Sequence, residues 1–241
     1  MIRDIRCKQD YWDECINFEL KDIEDNKDLI EGIRTKRPGY SDDDSGCISR
    51  IMRIYNVLPF YCYSRGDSIH SLKQYFEFML SYGEQYEVAL DKNKINEENR
   101  WYGDAWSVNL GTYIMDFWWI GLALALEIPD DQWQRLLKLI GNEGEDELLD
   151  RIIATRQKDR KIGTKLCHPK PYQLLLDAIN APKEQQAQKL FYFVDNWYKQ
   201  LGDKKRPYLP KGMPKIPSWH NSADSGSYFG YWCIEAVAAV K

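Results

Sequence analysis

Residues 110–128 read LGTYIMDFWWIGLALALEI, and this run constrains the whole chain. Its apolar side chains fall on every face a helix would offer, so the segment has to be covered all round. A bilayer would cover it, but Asp116 lies inside the run and Glu127 at its end. The uninterrupted apolar part is shorter than the roughly 20 residues of a membrane span. The segment is therefore expected as a buried helix ending at Pro129, with other helices packed around it.

Those helices are legible as apolar stripes. Over residues 9–31, Trp12, Ile16, Leu20, Ile23 and Ile30 recur at steps of three, four and seven, one face of an amphipathic helix. Gly32, Pro38 and Gly39 break the period. The aspartates in SDDDS (41–45) are then placed to cap a second helix carrying Ile48, Ile51, Met52, Tyr55 and Leu58, which Pro59 is expected to kink or end. A third follows the turn at Arg65 and Gly66 and carries Leu72, Tyr75, Phe76, Met79, Tyr82 and Tyr86. Beyond the central run, Trp133 to Ile140 and Leu148 to Ile153 mark two short helices, and Pro169 and Pro171 suit a helix start. Leu190, Phe193, Val194, Trp197 and Tyr198 mark another long one. No alternating strand pattern competes, so the fold class is all-α, a compact helical bundle.

The residues at 227–240, SYFGYWCIEAVAAV, can be laid without a gap on 113–126, YIMDFWWIGLALAL. Tyr231 then falls on Phe117, Trp232 on Trp118, Ile234 on Ile120 and Val237 on Ala123. Each segment follows an aromatic-rich helix and a polar loop. This suggests a bundle of two similar helix-loop-helix-containing halves, an N-terminal helical domain over 1–128 and a C-terminal one over 129–241 packed against it. The tail would be the second of two equivalent core helices. Chance resemblance between apolar helices is the competing explanation.

The six cysteines, Cys7, Cys15, Cys47, Cys62, Cys167 and Cys233, are scattered, and His70, His168 and His220 stand far apart. That spacing points to reduced thiols and to no metal or cofactor. The formal net charge of -4 is unevenly spread. Residues 9–31 hold nine acids against Lys21 and Lys27, acidity returns in SDDDS and in NEGEDELLD (142–150), and lysines dominate from 158 to 215. Acidic faces repel nucleic acid and attract basic proteins. The plainer reading is that they are solvated helix faces. The one stretch with triad-like chemistry, SWHNSADSGSYFGYW, gathers His220, Asn221, Ser222, Asp224 and Ser225 on a single loop. Such spacing suits a helix cap better than a converging catalytic triad, and no phosphate loop is present, so no catalytic residue is assigned. A binding protein is the better reading. A helical enzyme using the His220/Asp224 loop and a general interaction adaptor stay as alternatives.

The segments YCYSRGDSIHSLKQYFEFML (61–80), YGEQYEVAL (82–90) and WHNSADSGSYFGYWCIEAVAAVK (219–241) together resemble the PoNi-like cognate immunity proteins, which pair two adjoining helical domains. The G-Y-W-x-x-E-A core at Gly230 to Ala236 is the most specific part. The resemblance implies a non-enzymatic antitoxin in the bacterial cytoplasm that binds a DNA-degrading toxin delivered between competing cells by a contact-dependent or type VI-like secretion system. The partner would be that nuclease, not nucleic acid or membrane. On this reading Trp118, Tyr228, Gly230, Tyr231, Trp232 and Glu235 belong to the scaffold. The contact surface is expected at Asp42, Asp43 and Asp44, then at Glu143, Glu145 and Asp146, with the acidic face of the first helix as the rival. The oligomeric state is open, and an exposed apolar patch would support a dimer.

Overall fold

Helical winding follows the apolar stripes closely through most of the chain. The structure is a computed structural model that describes residues 1–40, 43–92, 106–107, 110–201 and 228–240. Among the described residues the α-helices are α1 (Gln9–Arg34), α2 (Ser45–Arg65), α3 (Lys73–Lys92), α4 (Leu110–Leu126), α5 (Asp130–Ile140), α6 (Glu147–Ala154), α7 (Pro169–Ile179), α8 (Lys183–Leu201) and α9 (Ile234–Ala239), with no strand. The all-α class is as expected. The chain divides into two compact units, and each is discontinuous. One holds Met1–Arg100, Ile128–Leu139 and Trp219–Tyr231; the other holds Trp101–Glu127, Ile140–Ser218 and Trp232–Lys241.

In the first unit α2 packs between α1 and α3. Helix α1 buries Trp12, Cys15, Ile16, Ile23 and Ile30, but Leu20 is exposed. At 100° per residue Leu20 sits about 80° round the helix from Trp12, while Ile23 and Ile30 return to within about 20° of it. Pro59 neither ends nor replaces helix α2, which runs on to Arg65. Leu58, Phe60, Tyr61 and Cys62 are all buried around it, and that burial outweighs the lost backbone bond. The stop comes at Gly66, in a left-handed conformation (φ 116°) with its N–H on the carbonyls of Cys62 and Tyr63. Helix α5 is fastened to α3 by Arg135, whose guanidinium binds Glu77 and Glu84 at 2.7 to 2.9 Å.

In the second unit α4 is buried on nearly every side, as its composition requires. Helix α7 packs on α8, and α9 packs on α4. Here the structure corrects the expectation for the tail. Residues 228–233 are not helical, so the tail is not a second copy of α4. Gly230 has φ 120°, a conformation that suits glycine and breaks a helix. Only 234–239 wind up, and they lie directly on α4: a Cβ added to Gly121 would meet Ile234 Cγ2 at 2.6 Å and the Ile234 carbonyl at 3.1 Å.

Asp150 and Asp116 are two of the acids buried in this unit. Asp150 Oδ1 accepts from Arg160 Nε at 2.7 Å, and Oδ2 accepts from the N–H groups of Gly144 and Gly163 at 3.1 and 3.0 Å. A buried ion pair holds its place when the remaining lone pairs are also satisfied, as here. Asp116 is instead buried and accepts from a neutral donor, the Trp106 indole, at 2.8 Å. Burial pushes its carboxyl from 3.8 up to about 7, against the smaller lowering by Trp106.

Substituting Gly121→Val should wedge α9 from α4 and cost about 2 kcal/mol in urea unfolding, since overpacking at a helix contact strains both partners. Asp116 binds its proton more tightly folded than unfolded, so its contribution is fully present below about pH 4 and is lost as pH rises toward 7. The urea midpoint of Asp116→Asn relative to the native chain should therefore rise between pH 4 and pH 7 and then level off. A difference that stays flat over that range would show the carboxyl titrating normally.

Candidate functional site

The acidic surface is best developed on α1. Asp10, Glu14, Glu24, Asp25, Asp28 and Glu31 are exposed there. Bases lace the face: Lys21 binds Asp25 at 2.9 Å, Lys27 binds Glu24 at 2.8 Å, and Arg37 reaches both Asp28 and Glu31. Exposed pairs of this kind contribute little to stability and are readily exchanged for a partner's cations. Among these charges Phe18 stands 63% exposed, with Glu14 one turn before it and Asp22 one turn after. A large ring inside an acidic rim has the composition of an interface anchor.

Beyond the end of α1, Arg34 Nε binds Asp44 Oδ2 at 2.8 Å, and Asp43 Oδ1 accepts the N–H of Ser45 at 2.9 Å. Asp43 is exposed, whereas Asp44 is buried at the N-terminus of α2. Asp42 lies outside the described residues. Arg34, Asp44, Glu84, Gln85, Val88 and Lys92 are among the residues lining a cavity of about 420 Å³ at this corner. Its mouth carries Val88, 69% exposed, and its wall carries two carboxylates. Arg34 and Lys92 balance those carboxylates, so the lining has no net formal charge.

The second acidic loop divides differently. Glu143 is exposed and accepts the N–H of Lys161 at 2.8 Å; Glu145 is half-buried and accepts the N–H of Ser107 at 2.6 Å. Asp146 is fully buried. It caps α6 by accepting Leu149 N–H at 2.8 Å, and it also accepts Tyr113 O–H at 3.0 Å and Cys167 N–H at 2.7 Å. Three donors inside the fold thus hold this carboxylate. His220 and Asp224, the alternative catalytic pair, lie outside the described residues.

The tail motif is structural in both units. In the first, the Tyr228 hydroxyl donates to Asp4 and accepts from Arg6 Nη1 at 3.2 Å. Its backbone exchanges two bonds with the Tyr11 hydroxyl, at 2.8 and 3.0 Å. Phe229 enters between Phe60 and Tyr61, and Arg6 lies over the Tyr231 ring. In the second unit Glu235 is fully buried; Tyr172 O–H and Trp197 Nε1 each donate to its Oε1 at 3.1 Å. Burial holds this carboxyl above its usual range, partly offset by Trp197, Tyr172 and Trp118. Trp118 is itself buried, and Trp232 is half-buried.

Comparison with known proteins finds two family models along this chain. The N-terminal model of the PoNe immunity protein (PoNi) matches residues 3–138, and the C-terminal model of the PoNe immunity proteins matches residues 144–241. The chain belongs to the PoNi family. Its role is accordingly that of an immunity protein, which implies a toxin protein as partner. No curated protein matches the sequence significantly. Among solved structures, protein PA2201 from Pseudomonas aeruginosa superposes with a TM-score of 0.61 at 15% identity, over 92% of this chain and 78% of that one; this likeness is one of fold. Among the described residues no helix is long and apolar enough to cross a membrane.

For a PoNi protein the sorting of acids matters. Asp43 and Glu143 present carboxylates outward, while Asp44 and Asp146 are committed within the chain. Phe18 did not enter the sequence reading because it falls off the apolar stripe of α1. That displacement was itself the available signal, since an aromatic among acids has no core to join.

Asp146→Ala strands the Tyr113 hydroxyl and the N–H groups of Leu149 and Cys167, so it should cost about 2 to 4 kcal/mol in chemical unfolding. Asp43→Lys should cost less, about 1 kcal/mol, since it loses the bond to the Ser45 N–H at the start of α2. Equal losses from the two would contradict the division made here.

Proposed function

We propose that this PoNi protein is a non-enzymatic antitoxin that neutralises a DNA-degrading toxin by direct contact. It acts in the bacterial cytoplasm, where such a toxin would arrive through a type VI-like secretion system. The observation that carries the reading is the match of both immunity-protein models, which leaves almost none of the chain unaccounted for. The acidic face of α1 supports it. A nuclease must hold a polyanion and so presents basic surface, which carboxylates attract at a distance and can cover without chemistry. The contact is proposed on this face with Phe18 as anchor, and Asp43 is the exposed acid of the loop that follows the helix. Glu143 and Glu145 form the second choice.

The test is titration calorimetry of the chain with an active PoNe-type nuclease domain, run beside digestion of plasmid DNA. A one-to-one complex of nanomolar Kd, near -12 kcal/mol, with plasmid intact at equimolar ratio is the expected result. Asp43→Lys combined with Glu14→Lys should slow association, more so at low salt. An active nuclease that neither binds nor is restrained would overturn the reading.

A further inference from the structure

Helix α8 is amphipathic in an unusual way. Its inner face buries Phe193, Trp197, Tyr198 and Leu201. Its outer face carries Glu184, Gln188, Phe191, Tyr192, Asp195 and Lys199, all exposed, and Phe191 and Tyr192 are 74% and 58% accessible. At 100° per residue these six fall within about 100° of one another. A phenyl and a phenol standing side by side at the middle of a helix keep most of their surface in water, and aromatic residues exposed in this way are enriched where proteins meet.

We propose that this face binds a second copy of the same chain, α8 against α8 and antiparallel, about a two-fold axis passing between Phe191 and Tyr192. The charge pattern selects that occupant and that direction. About such an axis Glu184 faces Lys199 of the second copy, Lys199 faces its Glu184, Gln188 faces its Asp195, and Phe191 faces its Tyr192. Both charged ends and the aromatic centre are satisfied at once, because Glu184 and Lys199 are equidistant from the axis, about 11 Å each way at 1.5 Å per residue. A parallel pair would set Glu184 against Glu184 and Lys199 against Lys199. The helix dipole favours an acid in the first turn and a base in the last within one chain. It does not account for the exposed ring pair midway between them. The contact is isologous, as most two-fold interfaces are, and one helix pair lies at the small end of specific interfaces, so association is expected in the micromolar range.

Sedimentation velocity over about 1 to 200 µM protein, bracketing that affinity, reads the outcome. The native chain should pass from monomer to dimer across the range. Phe191→Asp should remain monomeric throughout. Glu184→Lys and Lys199→Glu should each weaken self-association about tenfold, since each turns two attractive pairs into repulsive ones. Mixing these two variants should restore a heterodimer: the introduced lysine then faces the introduced glutamate, while the native Lys199 of one faces the native Glu184 of the other. Circular dichroism on each variant checks that the fold is kept, and the mixing result stands even where Phe191→Asp lowers stability. A native chain that stays monomeric to the highest concentration overturns the proposal. So does a dimer that Phe191→Asp leaves intact and that the charge variants neither weaken nor restore on mixing.

Discussion

A carboxylate removed from water has to be given donors, and in this protein that requirement falls on Glu235. It sits on the short helix α9, yet Tyr172 of α7 and Trp197 of α8 supply the bonds, and Trp118 of α4 adds to the effect. Losing a buried acceptor of this kind costs about 1 to 3 kcal/mol. One side chain therefore fixes where α4, α7 and α8 stand in relation to α9. The apolar stripes bring these helices together, but packing of that kind is tolerant of small slips. The hydrogen bonds to Glu235 are not, and they explain why an acid occupies the centre of an otherwise apolar motif.

The same logic separates what was legible in the sequence from what was not. The long stripes of α1, α3 and α8 were readable because a helix that buries one face has to repeat its apolar residues near every 3.6 positions. Leu20 misled because it satisfies the step of four from Ile16 while drifting off the axis of the stripe. Pro59 misled because its local rule is real but small beside the burial of its neighbours. The tail misled most. Its composition matches that of α4, but its first residues serve another purpose: Tyr228 and Phe229 fill slots beside Asp4, Tyr11, Phe60 and Tyr61, and Gly230 turns the backbone away from helical winding. Composition cannot distinguish a helix that repeats another from a strap that leans on it.

The acids show a comparable split. Asp43 and Asp44 are neighbours in the chain, as are Glu145 and Asp146, and nothing in their spacing distinguishes a surface charge from a buried cap. The difference lies in what surrounds each one. Asp146 collects donors from three separate stretches, Tyr113, Leu149 and Cys167, a convergence that exists only once the chain is folded. Buried carboxylates of this kind fix the loops without occupying the surface. The family motif accordingly reads as a description of the scaffold, and Phe18 and Asp43 lie outside it.

The placement of residues 228–240 also bears on how the molecule is made. The unit that opens the chain takes Tyr228 into its core, and the other unit takes Glu235. A ribosome adding about 5 to 20 residues per second delivers α1 to α8 well before either side chain exists. Until then the slot beside Asp4 and Tyr11 is empty, and the indole of Trp197 and the hydroxyl of Tyr172 have no acceptor. The core of each unit is therefore completed only after α8 has been made. A chain interrupted before residue 228 would leave both cores unfinished and offer proteases its apolar surface.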